Sequence, residues 1–481
     1  MLFNTAAFAV FMAVVFAAYI AASRHQHARR IQNRLLLGAS YLFYGWWDWR
    51  FLTLIAFSTA VDFVVANKIA GAKDEVSRKH LLWVSLGVNL GLLAVFKYLG
   101  FFVESFYELT QTLGFDPPPY VLDIVLPVGI SFYTFQTLSY TIDVYRRELE
   151  PTRDLLDFAL FVAFFPQLVA GPIERASRFL PQLLEPRTIT RERLASGSWL
   201  VLWGLYKKVV VADNLARIVD AQFGAAPADT SGPGAMLAIY AFALQIYADF
   251  SGYTDIARGV ARWMGFELSL NFRRPYFSTS PQEFWRRWHI SLSGWLRDYL
   301  YIPLGGNRGS TWFTGRNLMI TMALGGLWHG AAWTFVAWGV YHGLVLGVHR
   351  ATTRILDPKR AASRGRALRF CLRVLAIAVM FHVACLGWLM FRAESMADAW
   401  MMLLRIFSDP HLSVAVINAA GVMIALSLPL LVLDVAQEIV DDELVVFRWP
   451  APIRGLVYFI VLSYLFAFGA PAGRAFVYFQ F

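Results

Sequence analysis

The sequence predicts an all-α polytopic integral membrane protein, a helical bundle with re-entrant segments and a central cavity. Three observations lead to this fold class. Hydrophobic residues make up 58% of the 481 residues and charged residues only 16%, against about 25% charged in soluble domains. Apolar stretches close to the roughly 20 residues that a membrane span needs recur along the chain. The basic residues concentrate between these stretches, as in cytoplasmic loops.

The same composition excludes several other classes of protein. With 17 Trp, 20 Tyr and 40 Phe residues, the chain is neither disordered nor typical of cytosolic enzymes. Its two cysteines, Cys371 and Cys385, indicate neither a disulfide framework nor a metal site. We attribute the net charge of +10 to membrane loops. Membrane lipid is therefore the expected partner, and no nucleic acid is expected.

The first predicted span covers residues 2–22. No basic residue precedes it, and basic residues follow from Arg24 onward, which is the reverse of a cleavable signal peptide. We therefore expect an uncleaved span with the N-terminus outside the cell. Further apolar stretches lie near 35–47, 51–66, 81–97, 121–144, 155–172, 196–212, 235–257, 318–348, 370–391, 413–433 and 453–470.

Charge divides the connections into two groups, and the basic group is expected inside the cell. The basic connections are 67–80, 146–154, 173–195, 258–316 and 350–369. The connections with few basic residues, expected outside, are 213–234 and 392–412. Segment 98–115 is amphipathic and is predicted to lie in the membrane interface. The whole chain, 1–481, is predicted to form one membrane-embedded domain.

Two stretches, 155–172 and 318–348, violate simple alternation because basic connections flank each on both sides. The first is too short to cross twice, and the second offers two arms of about 15 residues. We therefore predict re-entrant segments that end partway through the membrane. Irregular backbone at that depth is tolerated only when it is buried in protein or lines a cavity, so a central cavity is implied.

A histidine lies at the apex of the second re-entrant stretch. The run GGLWHG places His329 between Gly325-Gly326 and Gly330, and glycines allow close backbone approach and a break in the helix. An ionisable residue at membrane depth is a functional-site hypothesis. The competing interpretation is a histidine that only hydrogen-bonds a neighbouring helix. The apex position favours catalysis. His342 and His349, on the next arm, are predicted to be packing or interfacial residues.

A second polar cluster lies in the cytoplasmic, basic and amphipathic connection 258–316. Ser280, Pro281 and Glu283 form a helix start, and aromatic residues then recur at helical spacing to Leu296. An amphipathic helix at the inner interface is predicted. Two roles stay open: anchorage to anionic lipid, or forming the cavity mouth with arginines that hold a phosphate-bearing donor. The candidate donor-binding residues are Arg286, Arg287 and Arg308.

Two further residues are candidates in this region of the sequence. His289 lies among tryptophans, and taken alone it is better explained as structural than as catalytic. Asp249 lies in the inner half of the 235–257 span. It is a candidate for orienting a polar group in the cavity, as buried carboxylates orient imidazoles. Asp255, by contrast, is expected to form a structural ion pair with Arg258, three residues on.

Together these motifs resemble the membrane-bound O-acyltransferase (MBOAT) family. Within it, the bacterial alginate O-acetylase (AlgI) branch is nearest, and the DltB branch is more distant. The resemblance covers nearly the whole chain. The runs that carry it are ASYLFYGWW (39–47), LPVGISFYTF (126–135), FPQLVAGPI (165–173), DFSGYTD (249–255), FWRRWHISL (284–292), GLWHG (326–330) and FVYFQF (476–481).

The resemblance implies an O-acyltransferase in the bacterial inner membrane with His329 and His289 as catalytic residues. The donor would be cytoplasmic acetyl-CoA, or another phosphopantetheine thioester, used as a co-substrate with no bound cofactor. The acetyl group would cross the membrane and reach an exported polysaccharide, such as alginate, through a periplasmic SGNH-type acetyltransferase partner.

Three other functions are considered. A transporter would typically show a repeat with paired broken helices, and no matching repeat is found. The second is a polysaccharide synthase or a flippase or export component. Membrane synthases carry a large cytosolic catalytic domain with acidic metal-binding motifs, and the basic connection 258–316 has no Asp-x-Asp. A non-catalytic scaffold would not need a histidine at a glycine-lined apex.

Overall fold

A computed structural model of the chain describes residues 1–115, 124–355, 365–470 and 476–477. Within these residues the regular structure is helical and contains no β-strand, which confirms the all-α prediction. The last four residues of the FVYFQF run, 478–481, lie outside the described part. The chain divides into two compact units: Met1–Ser198 with Ala257–Ser269, and Trp199–Ile256 with Leu270–Phe481.

The first unit contains the helices of the N-terminal part of the chain. They are α1 (Ala6–Ala22), α2 (Ala28–Gly45), α3 (Leu52–Gly71), α4 (Glu75–Leu93), α5 (Leu99–Thr112), α6 (Ile130–Tyr145), α7 (Leu155–Ala163), α8 (Phe165–Leu168), α9 (Ala176–Leu184) and the start of α10 (Arg191–Leu205).

The second unit contains the remaining helices, and a π-helical turn (Tyr206–Ala212) leads into it from α10. They are α11 (Asp213–Phe223), α12 (Gly232–Trp263, whose last turns belong to the first unit), α13 (Pro281–Arg287), α14 (Ile290–Leu296), α15 (Thr311–His329), α16 (Trp333–Ile355), α17 (Arg366–Arg392), α18 (Met396–Ser408), α19 (Val414–Val440) and α20 (Ala451–Phe468).

Six helical segments in the described part of the chain are long and apolar enough to cross a membrane. They are Trp49–Gly71, Glu75–Thr112, Gly232–Trp263, Arg366–Arg392, Val414–Val440 and Ala451–Phe468. The chain is therefore a multi-pass membrane protein.

One of these segments contains most of the stretch 98–115, which the sequence predicts to lie in the membrane interface. Helices α4 and α5 are joined by the π-helical turn Ala94–Tyr98, so Glu75–Thr112 runs as one helical segment of 38 residues. At 1.5 Å per residue it extends about 57 Å, well beyond the roughly 30 Å hydrocarbon core. The amphipathic pattern of 98–115 therefore belongs to a helix that continues from an apolar one.

The stretch 155–172 forms two short buried helices. The nine residues of α7 extend about 14 Å, and the helix ends at Ala163, one residue before the four-residue α8. Every residue from Asp157 to Ile173 is buried. This geometry agrees with the prediction that the stretch is too short to cross twice.

The stretch 318–348 forms the hairpin α15–α16, and its arms differ from the prediction. They contain 19 and 23 residues, so the expected arm length of about 15 was wrong. Polar residues such as Arg316 and Asn317 continue the helix beyond the apolar stretch, because Ser310 caps α15 by accepting a hydrogen bond from the Phe313 N–H. The helix ends at His329, and Gly330 begins the turn, as the glycine pattern predicted.

Helices α15 and α16 pack backbone against backbone through glycines. A Cβ at Gly339 would lie 2.3 Å from the carbonyl oxygen of Met322, and one at Gly326 would lie 2.2 Å from that of Phe335. At Gly330 the nearest atom of the Phe335 ring would be 2.1 Å away. Larger residues at these positions would force the two arms apart.

The amphipathic helix predicted from Ser280 is interrupted. Ser280 caps α13 as expected, accepting a hydrogen bond from the Glu283 N–H at 3.2 Å, but the helix ends at Arg287. A second helix, α14, begins at Ile290. The prediction of one continuous helix was wrong because His289 adopts a left-handed backbone conformation, with φ of 43°, which an α-helix does not accommodate.

We predict that Gly339→Ala destabilises the protein, by about 1–3 kcal/mol if the arms shift apart to relieve the overlap. Gly347→Ala is the matched control on the same helix, because a Cβ there meets no atom within 4 Å. Alanine also favours the helix more than glycine does. Thermal unfolding of the full chain in lipid nanodiscs tests the pair. Equal melting temperatures for the two variants would contradict the close-packing account.

Candidate active site

His329 is the last residue of α15 and is buried, with 4% of its surface exposed. Aromatic rings surround its imidazole: the centroid distances are 5.1 Å to Trp338 and 5.5 Å to Phe391. Gly330 follows in an extended conformation, so the side chain sits where the helix stops. The imidazole is thus held rigidly at the turn of the hairpin.

His289 lies between α13 and α14 and is completely buried. Phe250 packs edge-on against its ring at a centroid distance of 4.7 Å. The centroid of the His329 ring is 6.3 Å away. The structure therefore brings together the two histidines that are 40 positions apart in sequence.

Asn271 holds the break at His289. Its main-chain carbonyl accepts the Ile290 N–H at 2.9 Å. Its side-chain Oδ1 accepts the Ser291 N–H at 3.2 Å and the Ser291 hydroxyl at 2.9 Å. The same oxygen lies 3.2 Å from Nδ1 of His289. Sequence analysis did not single out Asn271, because nothing in its local pattern shows that it pairs with a break 18 residues later.

A cavity of about 550 Å³ opens on one side of His329. This volume falls within the range typical of small-molecule sites. Apolar side chains from α14, α15 and α16 form much of its wall. The polar side chains that also line it are Gln282, Arg286, Ser293, Arg297, Asn307, Thr321 and Arg350. The cavity thus combines an apolar wall, one imidazole and three cationic side chains.

The predicted donor-binding arginines occupy three different environments. Arg286 lines the cavity and is exposed. Arg287 points into an ion-pair network: it contacts Glu438 at 2.7 Å and Glu283 at 2.7 Å. Arg308 lies in the exposed turn next to Asn307, which lines the cavity.

The network around Arg287 is centred on Glu438. This carboxylate contacts Arg274 at 2.9 Å and Arg373 at 3.2 Å as well as Arg287. Burial alone would raise the pKa of Glu283, but hydrogen bonds from Thr279 and the charge of Arg287 outweigh it and hold that pKa below its ordinary value. Glu283 is therefore suited to keep Arg287 paired.

Asp249 binds a cation rather than an imidazole. Its carboxylate contacts Lys208 at 2.8 Å and accepts the Val477 N–H at 2.7 Å. Lys208 also contacts Asp213 at 2.8 Å. The structure thus places Asp249 in a buried Asp–Lys–Asp cluster. Asp255 forms a partly buried ion pair, and the structure gives it Lys207 as a partner at 2.5 Å, where the sequence predicted Arg258.

Arg350 was not recognised in the sequence, although a signal existed. Trp338, Leu346 and Arg350 all line the cavity and are separated by multiples of four residues, which places them on one face of α16. Extending that spacing from the apex would have placed Arg350 on the face that carries the cavity wall. His342 is buried and packs at a centroid distance of 4.8 Å from Trp338.

Comparison with known proteins gives consistent results. A family model described as the membrane-bound O-acyltransferase family (MBOAT) matches residues 144–366. The chain is 45% identical over 395 residues to the probable alginate O-acetylase AlgI of Azotobacter vinelandii, covering 81% of this chain and 76% of the relative. The corresponding protein of Pseudomonas aeruginosa is 44% identical over 400 residues, covering 82% and 73%.

A relative named for a different substrate is also similar. The peptidoglycan O-acetyltransferase of Helicobacter pylori is 36% identical over 433 residues, covering 84% of this chain and 79% of the relative. These matches cover 81–84% of the chain, more than the segment 144–366 of the family model.

Proposed function

Because the chain belongs to the membrane-bound O-acyltransferase family, we propose that this membrane O-acyltransferase moves an acetyl group from a cytoplasmic thioester across the membrane. The acetyl group then serves for O-acetylation of an exported polysaccharide such as alginate. The observation that carries the proposal is the position of His329, which lines the cavity while facing the ring of His289.

The chemistry follows from the imidazole of His329. A neutral imidazole accepts a proton near pH 7. In the proposed step, His329 takes the proton of the acceptor hydroxyl while its oxygen attacks the thioester carbonyl. The C–S bond then breaks, and the thiolate takes the proton back from the imidazolium. An ester and a free thiol result, and the histidine returns to its starting state.

His289 is proposed to assist this step by orienting the donor or by helping the proton transfer. Its ring is buried behind aromatic side chains, and Asn271 and Phe250 fix its position. Two histidines held this rigidly suit catalysis, because preorganised groups need no rearrangement as the reaction proceeds.

The donor is proposed to be acetyl-CoA or another phosphopantetheine thioester. Phosphate groups pair well with guanidinium groups, and Arg286, Arg297 and Arg350 line the cavity. Of the arginines singled out in the sequence, Arg286 has the position that best supports donor binding. The ion pairs of Arg287 suggest that its main role is structural.

The acceptor side is proposed from the relatives, which are named for O-acetylation of alginate or peptidoglycan. Both names point to a polysaccharide outside the cytoplasm. We propose an inner-membrane location with the N-terminus outside, and a periplasmic SGNH-type acetyltransferase that passes the acetyl group to the polymer. The charge asymmetry of the connections supports this orientation.

We predict that His329→Ala abolishes acetyl transfer, because the described residues that line the cavity include no other imidazole and no carboxylate to accept the proton. Membranes containing the protein and its periplasmic partner are incubated with radiolabelled acetyl-CoA, and label in protein and polymer is followed. His349→Ala, on the second arm of the same hairpin, is the matched control and is expected to retain transfer. Normal labelling by His329→Ala would refute the catalytic assignment.

We predict that the adjacent residues Arg286 and Arg287 respond differently to alanine substitution. Arg286→Ala raises the KM for acetyl-CoA by about 10- to 100-fold, the equivalent of about 1.5–3 kcal/mol for a charge-assisted hydrogen bond. The KM for S-acetylpantetheine, which lacks phosphate, stays unchanged. Arg287→Ala instead lowers the melting temperature, because two carboxylates lose a partner.

Kinetics with the two donors and thermal unfolding of each variant separate these effects. An equal rise in KM for both donors in Arg286→Ala would remove the phosphate-binding role. An unchanged melting temperature in Arg287→Ala would show that its ion pairs are not structural.

A further inference from the structure

The hydrogen bonds of Asn271 fix the orientation of its side-chain amide. The Ser291 main-chain N–H can only donate, and it lies 3.2 Å from the terminal side-chain atom of Asn271. That atom must therefore be the oxygen, Oδ1, and not the NH2 group. This reasoning fixes the orientation of the amide without any assumption about the histidine.

The same oxygen lies within hydrogen-bond distance of the His289 imidazole. Nδ1 of His289 lies 3.2 Å from Oδ1. A carbonyl oxygen has only lone pairs, so the nitrogen facing it is favourable only if it carries a hydrogen. In the neutral ring, the second nitrogen, Nε2, then carries no hydrogen and can only accept a hydrogen bond.

The surroundings leave this pair little freedom. Asn271 and His289 are both completely buried. Phe250 packs edge-on against the imidazole, and the ring centroid of Trp328 is 6.0 Å away. The left-handed backbone at His289 also fixes the direction of its side chain.

We propose that Asn271 is a positioning residue that holds His289 as the Nδ1–H tautomer, leaving Nε2 as a hydrogen-bond acceptor at the paired-histidine site. The importance of this tautomer for acyl transfer rests on the proposed function. The tautomer itself follows only from the hydrogen bonds at Asn271.

The test is nitrogen NMR of the full chain in lipid nanodiscs with ¹⁵N-labelled histidine. The shifts distinguish a protonated ring nitrogen from a bare one, and His289→Gln identifies the His289 signals by their loss. The expected wild-type result is a proton on Nδ1. A proton on Nε2 in the wild type would overturn the proposal, and this measurement needs no variant at Asn271 to fold.

Two variants then test whether Asn271 is the cause. Asn271→Leu has a similar size but no oxygen, and His289 is expected to lose its preference for Nδ1–H. Asn271→Asp keeps an oxygen at this position and is expected to retain the Nδ1 proton. An unchanged His289 tautomer in a folded Asn271→Leu would overturn the assignment.

The kinetic readout separates positioning from simple damage to the fold. In Asn271→Leu, kcat is expected to fall about 10- to 100-fold, as is typical when a partner that orients a functional histidine is lost. The KM for the donor and the elution volume in size-exclusion chromatography stay close to the wild-type values. Transfer that survives His329→Ala would refute the proposed function alone, whereas an Nε2 proton in the wild type would refute only this inference.

Discussion

The site depends on a constraint that applies to any helix interrupted inside a protein: the main-chain groups released by the break need new hydrogen-bond partners. The segment beginning at Asn271 supplies them at His289. The Arg273 N–H donates to the Arg287 carbonyl at 2.9 Å, and the Ile290 N–H donates to the Asn271 carbonyl at 2.9 Å. With these groups paired, the helix can stop, turn through a left-handed residue and start again. The break is thereby a fixed structural feature that positions the imidazole of His289.

Close packing of the main chain positions the hairpin. Helices α15 and α16 approach closely enough that a Cβ at Gly326, Gly330 or Gly339 would overlap its neighbour. This approach fixes the point at which α15 ends and hence the position of His329. Ion pairs then hold the outer parts of the site. There the Glu438 carboxylate joins Arg274 and Arg287 to Arg373 of α17. Glycines thus set the distance between α15 and α16 at the turn, and the ion pairs of Glu438 hold the segments around it.

Local patterns in the sequence predict much of this arrangement. The glycines around His329 predict the end of α15, and Ser280 with Pro281 and Glu283 predicts the start of α13. Other features depend on tertiary contacts that no local pattern records. The aromatic spacing from Phe284 to Leu296 suits a continuous helix, yet Asn271 stabilises a break within it. The sequence around Asp249 does not show that its carboxylate pairs with Lys208, which lies 41 positions away. The ion pairs of Arg287 likewise depend on Glu438, 151 residues later.

The central claim is that the two breaks, at His289 and after His329, assemble one acyl-transfer site. The most direct test is an experimental structure of the full chain in lipid with S-acetonyl-CoA, in which a ketone replaces the thioester. The account predicts the ketone carbon within contact distance of the His329 imidazole, with His289 adjacent and the phosphates near Arg286 and Arg350. A donor bound away from the hairpin, or rings of His289 and His329 that lie far apart, would contradict it.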